Sequence, residues 1–156
     1  MKKEENILKN ITVNKKAFHD YEIVEKYDAG IILLGSEVKS IREGRVNLKD
    51  SYVEIKGREA FLVSAHIAAY SNASYNNHEP ERTRKLLLHK QELGKLDRKV
   101  RTRGITIVPL RMYFTPKGLV KVEIAIVRGK RLYDKKQKIK EDDMRREMDR
   151  EMKPYR

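Results

Sequence analysis

Cysteine is absent from the chain, so disulfides and thiolate metal sites are excluded. Histidine is scarce: His19, His66, His78 and His89 show neither HxH nor HExxH spacing, which leaves a metal site without support. Also missing are a GxSxG elbow, a phosphate-cradling glycine loop and the dinucleotide-binding glycine fingerprint. Apolar residues reach only 39%, and no run of them approaches the ~18–20 residues of a membrane span. The opening "MKKEENILKNITV" has no apolar h-region, so a secretory signal is not expected. Acids such as Asp28, Glu37 and Asp50 could in principle pair for catalysis, but isolated carboxylates of this kind are more often ion-pair or hydrogen-bonding partners. These absences point to a non-enzyme without cofactor or metal, in a reducing, cytoplasmic setting.

What the chain does have is positive charge. Lys and Arg outnumber Asp and Glu by 36 to 23, a formal excess of +13 in 156 residues. Such an excess speaks to partners rather than to fold, and an anionic partner, nucleic acid first, is expected. The length suits one domain with solvated extensions.

Strand signals dominate. "HDYEIVEKYDAGIILLG" reads as two strand-like runs around a turn in which Gly30 supplies a positive φ, with Ile31 to Leu34 interior. Val38 and Ile41 lie three apart, with Ser36 as N-cap and Gly44 past the end, which predicts a short surface helix over 36–43. "DSYVEIKGREAFLVSA" predicts a hairpin turning at "GRE". "YSNASYNNHEPERTR" reads as a long surface loop, and "KLLL" as a short buried run. His89 with Glu92 resembles a capping box opening a helix through about Thr102. Two long runs flank "PKG", and Pro109 marks an edge or bulge in the first of them. The fold class expected is mainly β: a small antiparallel OB-like barrel with about three helices.

Residues 1–13 read as a flexible lead-in, 14–129 as the barrel and 130–156 as a basic tail. In the tail Met144, Met148 and Met152 repeat every four residues, and Glu141–Arg145 and Asp142–Arg146 are acid-before-base pairs. Each pair is worth ~0.2–0.5 kcal/mol in a helix, against ordering costs of ~1–2 kcal/mol per residue. The tail is therefore expected to be unfolded when free and helical when bound.

Cations cluster at Lys15–Lys16, on Lys39, Arg42 and Arg45, at Arg82, Arg84 and Lys85, and over Arg98–Arg103. A helix C-terminus accounts for the last group without any ligand. Tyr21, Tyr27, Tyr52, Tyr70 and Tyr75 supply possible stacking planes. Bases, aromatics and hydrogen-bonding side chains together suit RNA with unpaired nucleotides, and no DNA-recognition helix is evident.

"NKKAFHDYEI", "YDAGIILLGSEVKSIREGRVNLKDSYV", "RTRKLLLHKQEL" and "VKVEIAIVRGKRLYDKK" resemble, in order and spacing, the SsrA-binding protein family, small protein B. The resemblance runs from about Asn14 to Lys136. It implies an RNA-binding adaptor of trans-translation, with partners transfer-messenger RNA, the ribosome (decoding centre and messenger channel) and elongation factor Tu. Carried over residue by residue, it puts Asn14, Lys15, His19, Asp28, Glu37, Lys39, Arg42, Arg82, Arg84 and Lys85 at the RNA, with Leu87 supporting that surface from inside. It also assigns Gly129, Lys130, Arg131, Tyr133, Asp134, Lys135 and Lys136 to the ribosome-binding junction and tail. Lys136 stands where relatives carry arginine and lacks its planar fork; Tyr133 stands where many carry histidine and does not titrate near neutral pH. Composition alone equally permits a structural ribosomal protein.

Overall fold

A computed structural model describes residues 9–70 and 77–129. The chain is mainly β. Its order is β1 (Lys9–Val13), α1 (Lys15–Asp20), β2 (Tyr21–Ile31), α2 (Gly35–Arg42), β3 (Val46–Asn47), β4 (Tyr52–Lys56), β5 (Glu59–Val63), β6 (His66–Ile67), β7 (Arg84–Leu87), α3 (Lys90–Val100), β8 (Ile105–Phe114) and β9 (Val120–Gly129). Seven strands form one sheet in the order β1-β8-β9-β2-β7-β5-β4, antiparallel at every step, and β3 pairs with β6 apart from it. The sheet coils until β4 packs near β8, while α3 lies on β4, β8 and β9 and buries Leu96 in the core. The result is a barrel whose hydrogen-bond ladder stops at β1 and β4.

The turns follow from local chemistry. Lys56 pairs with Glu59 across a two-residue turn, and Gly57 takes φ 61° at its first position, where a side chain would be strained. At "PKG" the Thr115 amide donates to the Leu119 carbonyl at 2.8 Å, closing β8 onto β9 around Gly118. Pro109 marks a bulge, as its missing N–H suggests: it opposes Ile124 and Arg111 opposes Glu123, so Leu110 is the extra residue. That insertion reverses the faces of β8. Ile107 and Met112 face the large core with Ile124 and Ile126, whereas Val108 and Leu110 join Ala17, Ala125 and Val127 in a second core beneath α1.

Several expectations change. Lys9–Val13, read as lead-in, is an edge strand on β8, because its backbone completes that ladder. Helix α1 was not foreseen; six residues are too few for a period, and its N-cap bond comes from Asn14. The two runs around "DAG" are one strand, β2, and Gly30 is not among the positive-φ glycines. Its role is spatial: an added Cβ would stand 3.3 Å from Leu87 Cβ. Ile32 and Leu34 are exposed rather than interior, because strand pairing to β9 stops at Gly30 and the chain turns into α2. Helix α2 starts at Gly35 with Leu34, not Ser36, at the N-cap. The tail and Tyr75 lie outside the described residues.

Candidate nucleic-acid interface

Helix α2 carries charge on both its buried and its outer sides. Inward, Glu37 is fully buried, and its carboxylate is saturated with donors. Oε1 accepts from the Leu34 N–H at 2.8 Å and Arg82 Nη2 at 2.7 Å. Oε2 accepts from Arg82 Nε at 3.1 Å and Arg84 Nε at 2.7 Å. Burial pushes the Glu37 carboxyl up, but Arg82, the Leu34 amide and Arg84 outweigh it and hold it below the usual carboxylate range. Arg84 is 0% exposed and spends its other donors on the carbonyls of Ala65, at 2.8 Å, and Pro80, at 3.1 Å. The cluster ties α2 to the 77–84 segment, reinforced by His78. His78 Nε2–H donates to the Ile67 carbonyl at 2.8 Å, and Nδ1 is hydrogen-bonded to Ser36 Oγ, also at 2.8 Å. Outward, α2 presents Lys39, which sits 5.4 Å over the Tyr70 ring, and Arg42.

Strand parity explains the rest. Along β7, Arg84 and Leu86 point inward while Lys85 and Leu87 point outward. Leu87 is 51% exposed, so it does not support the surface from inside; it is the surface. It opposes Gly30 across the ladder, and the two form the floor of a groove of about 670 Å³. Asp28, Val38, Leu119 and Lys121 wall the groove, with His89 at the start of α3. Leu119, at the β8–β9 turn, is 60% exposed. Asp28 lies on the outer face of β2 and accepts a hydrogen bond from Tyr113 Oη at 2.8 Å. Arg111 lies 4.6 Å over the Tyr113 ring and pairs with Glu123 at 3.2 Å. The Tyr113 hydroxyl is buried and next to a carboxylate, and both effects push its pKa upward, so it stays protonated and donating.

A second region surrounds α1. Asn14 is 6% exposed: Oδ1 accepts from the Ala17 amide at 3.2 Å, and Nδ2 donates to Pro109 and Leu48 carbonyls at 2.9 and 3.2 Å. It plugs the β8 bulge and caps α1. Lys15, Phe18 and His19 are exposed on the same helix, His19 Nδ1 lying 2.9 Å from Asp20 Oδ1.

The expected RNA-facing set therefore divides. Asp28, Lys39, Arg42 and Leu87 belong to the groove or to the helix that walls it. Lys85 is outward on β7 but paired to Glu59 at 2.5 Å. Lys15 and His19 sit around α1 instead. Asn14, Glu37 and Arg84 are buried, with their polar atoms engaged in internal hydrogen bonds. Arg82 is partly exposed, yet its fork is committed to Glu37. Gly129 ends β9 opposite Tyr21, and Lys130, Arg131, Tyr133, Asp134, Lys135 and Lys136 lie outside the described residues. Of the tyrosines, Tyr27 is buried and Tyr52 exposed. Sequence reasoning missed Lys121, Leu119 and Tyr113, and took His89 only as a cap. Period-2 parity from Asp28 through the β2–β9 pairing was the signal for Lys121; a turn-borne leucine carries none.

Fold and groove together define a small cationic barrel protein with an open, part-apolar face suited to unpaired nucleotides. The family model "SmpB protein" matches residues 11–154, and the chain belongs to that family. It is similar to the SsrA-binding protein of Syntrophobacter fumaroxidans, 58% identical over 90% of this chain and 86% of that one. It is also similar to the SsrA-binding protein of Sulfurihydrogenibium sp., 56% identical over 93% of this chain and 95% of the relative. Among solved structures it resembles a chain from "tmRNA-SmpB: a journey to the center of the bacterial ribosome", with TM-score 0.66 and 48% identity, covering 76% of this chain and 83% of that one.

Proposed function

We propose that this chain is the RNA-binding adaptor of trans-translation. Its body holds the tRNA-like part of transfer-messenger RNA through the groove and the outer side of α2, without catalysing a reaction. With elongation factor Tu it brings the charged RNA to a stalled ribosome in the bacterial cytoplasm, where the incomplete protein is tagged and the ribosome freed. The segment beyond Gly129 serves the ribosome rather than the RNA. Family membership, relatives called SsrA-binding proteins and the likeness to a tmRNA–SmpB structure support this over a structural ribosomal protein. The observation that carries it is an exposed apolar floor, Leu87 against Gly30, beside Lys121 and the Lys39–Arg42 face of α2. Unpaired bases rest on apolar ground while cations take the phosphates.

Equilibrium binding to transfer-messenger RNA tests the reading. With ~4–6 phosphates neutralised on single-strand-like RNA, log K is expected to fall with log salt at a slope of about −3 to −4. Binding that is indifferent to salt, or no stronger than to an unrelated duplex, contradicts it.

A further inference from the structure

Helix α3 and the turn after it carry more cations than the helix itself can use. Lys90, Lys95, Arg98, Lys99, Arg101 and Arg103 are all exposed, and the acids among them are Glu92 and Asp97. Asp97 is taken by Arg101 at 3.0 Å, and Glu92 accepts from the His89 amide at the start of the helix. Among the described residues none of Lys90, Lys95, Arg98, Lys99 and Arg103 has an ion-pair partner. The helix dipole favours cations in the last turn, which accounts for Arg98 and Lys99. It does not account for Lys95, and it works against Lys90, the first residue of the helix.

Gly94 is the second oddity. Glycine weakens a helix interior, because the unfolded chain has more freedom to lose there. The two reasons that excuse a glycine elsewhere in this fold are missing. Its φ is not positive, and an added Cβ would meet only Arg98 Nη1, at 3.8 Å, an ordinary contact with the end of a flexible side chain. Leu96 is fully buried. Gly94 and Arg98, two residues to either side of it, both lie about 160° round the helix from it. The glycine therefore leaves a bare spot in the middle of the outward face. Lys90 and Arg98 stand about 6 Å along the axis before and after that spot, with Gln91 and Lys95 alongside. An outside group gains close access to the helix backbone there, at a point ringed by cations.

A bare spot among cations fits a sugar–phosphate backbone better than an acidic protein, whose carboxylates stand out on side chains and require no such clearance. Duplex RNA offers a wide, shallow minor groove bordered by phosphates, against which a helix can lie flat. The groove beside Leu87 uses His89 and Glu92, and Glu92, one turn before Leu96, is on the inner flank of α3. A ligand on the outward face approaches from a different side than the RNA held in that groove.

We infer that the outward face of α3 is a second RNA surface, which seats the phosphate backbone of a ribosomal RNA duplex across Gly94, between Lys90 and Arg98. This rests on the adaptor reading above, in which transfer-messenger RNA already fills the groove and the ribosome is the other partner.

The test uses the full chain, with salt-washed ribosomes and transfer-messenger RNA as separate ligands. Gly94→Leu keeps every charge and improves the helix, so a merely solvated face predicts a more stable protein with unchanged binding. Close approach predicts ribosome affinity weakened about tenfold, with transfer-messenger RNA affinity within about twofold of the natural value. The double variant Lys90→Gln, Arg98→Gln is expected to lose about 10- to 100-fold for ribosomes. Its log K against log salt is expected to be shallower by about 2, since each duplex phosphate contributes about 0.9. The chain has no cysteine, so Gln91→Cys gives a single attachment point for a photo-crosslinker, and the adduct is expected on ribosomal RNA. Cross-linking to a ribosomal protein instead overturns the inference, as does natural ribosome affinity in both variants. Equal losses for the two ligands also overturn it, by placing α3 against transfer-messenger RNA. If the natural protein fails to bind transfer-messenger RNA, the adaptor reading falls, and the ribosome measurements still decide the matter of α3.

Discussion

Two clusters of the same charges sit on either side of one short strand and do opposite things. On the inner side of β7, Arg84 closes on Glu37 with no exposed surface; on the outer side, Leu87 lies bare in the groove with Asp28 and Lys121. An arginine is buried and a leucine exposed, three residues apart on one strand and so on opposite faces. The difference teaches that charge in a motif does not report exposure. The sealed cluster spends its charges on holding α2 against the 77–84 segment, and so sets the wall of the groove. The open cluster keeps unspent donors and acceptors for a ligand.

The largest effect expected from breaking this contrast is on the sealed side. Arg84→Met leaves the Glu37 carboxylate buried without its fully buried partner, and urea unfolding should show a loss of about 3–5 kcal/mol. Leu87→Ser, on the other face of the same strand, should change stability by no more than about 0.5 kcal/mol. Equal losses for the two would mean that the faces are not distinct. Removal of everything after Gly129 should next leave RNA affinity intact while tagging of stalled products stops; tagging that survives the truncation would return the ribosome function to the barrel. Lys39→Glu, on the outer side of α2, should weaken transfer-messenger RNA binding about 10-fold at low salt without shifting the melting temperature.

A smaller effect concerns acid. The Glu37 carboxyl is held below its unfolded value, so the stabilisation it brings is complete above the ordinary carboxylate pKa of ~4.3 and is lost as pH falls through the lowered folded value. Glu37→Gln should therefore flatten the acid limb of the stability curve in that window while lowering stability at neutral pH. An unchanged acid limb would show that the pair does not govern it.

Much of the fold was legible because its signals are local. "GRE" and "PKG" name their turns, Pro109 cannot donate to a ladder, and Leu93, Leu96 and Val100 keep helical spacing. What escaped depends on pairing across the sheet. A bulge between Ile23 and Glu25 changes the parity of β2, and another at Leu110 changes that of β8, so alternation read along either strand points some side chains to the wrong face. Helix α1 is built on one side-chain cap and a contact with the β8 bulge 95 residues away, which no window contains. The site suffered for a related reason. "RTRKLLLH" was read as bases at the mouth of a buried run, when alternation from Leu86 already places Arg84 inside and Leu87 outside. Asn14, Glu37 and Arg84 are buried beneath the surfaces they brace, and a motif match carries no information on burial.

The measurement that bears most directly on the account is the affinity of a folded Leu87→Glu protein for transfer-messenger RNA, taken beside its melting temperature. The account predicts an unchanged melting temperature with binding weakened at least about tenfold, because apolar ground is replaced by a second acid where bases are proposed to lie. Natural affinity in that variant would contradict it and place the RNA elsewhere on the barrel.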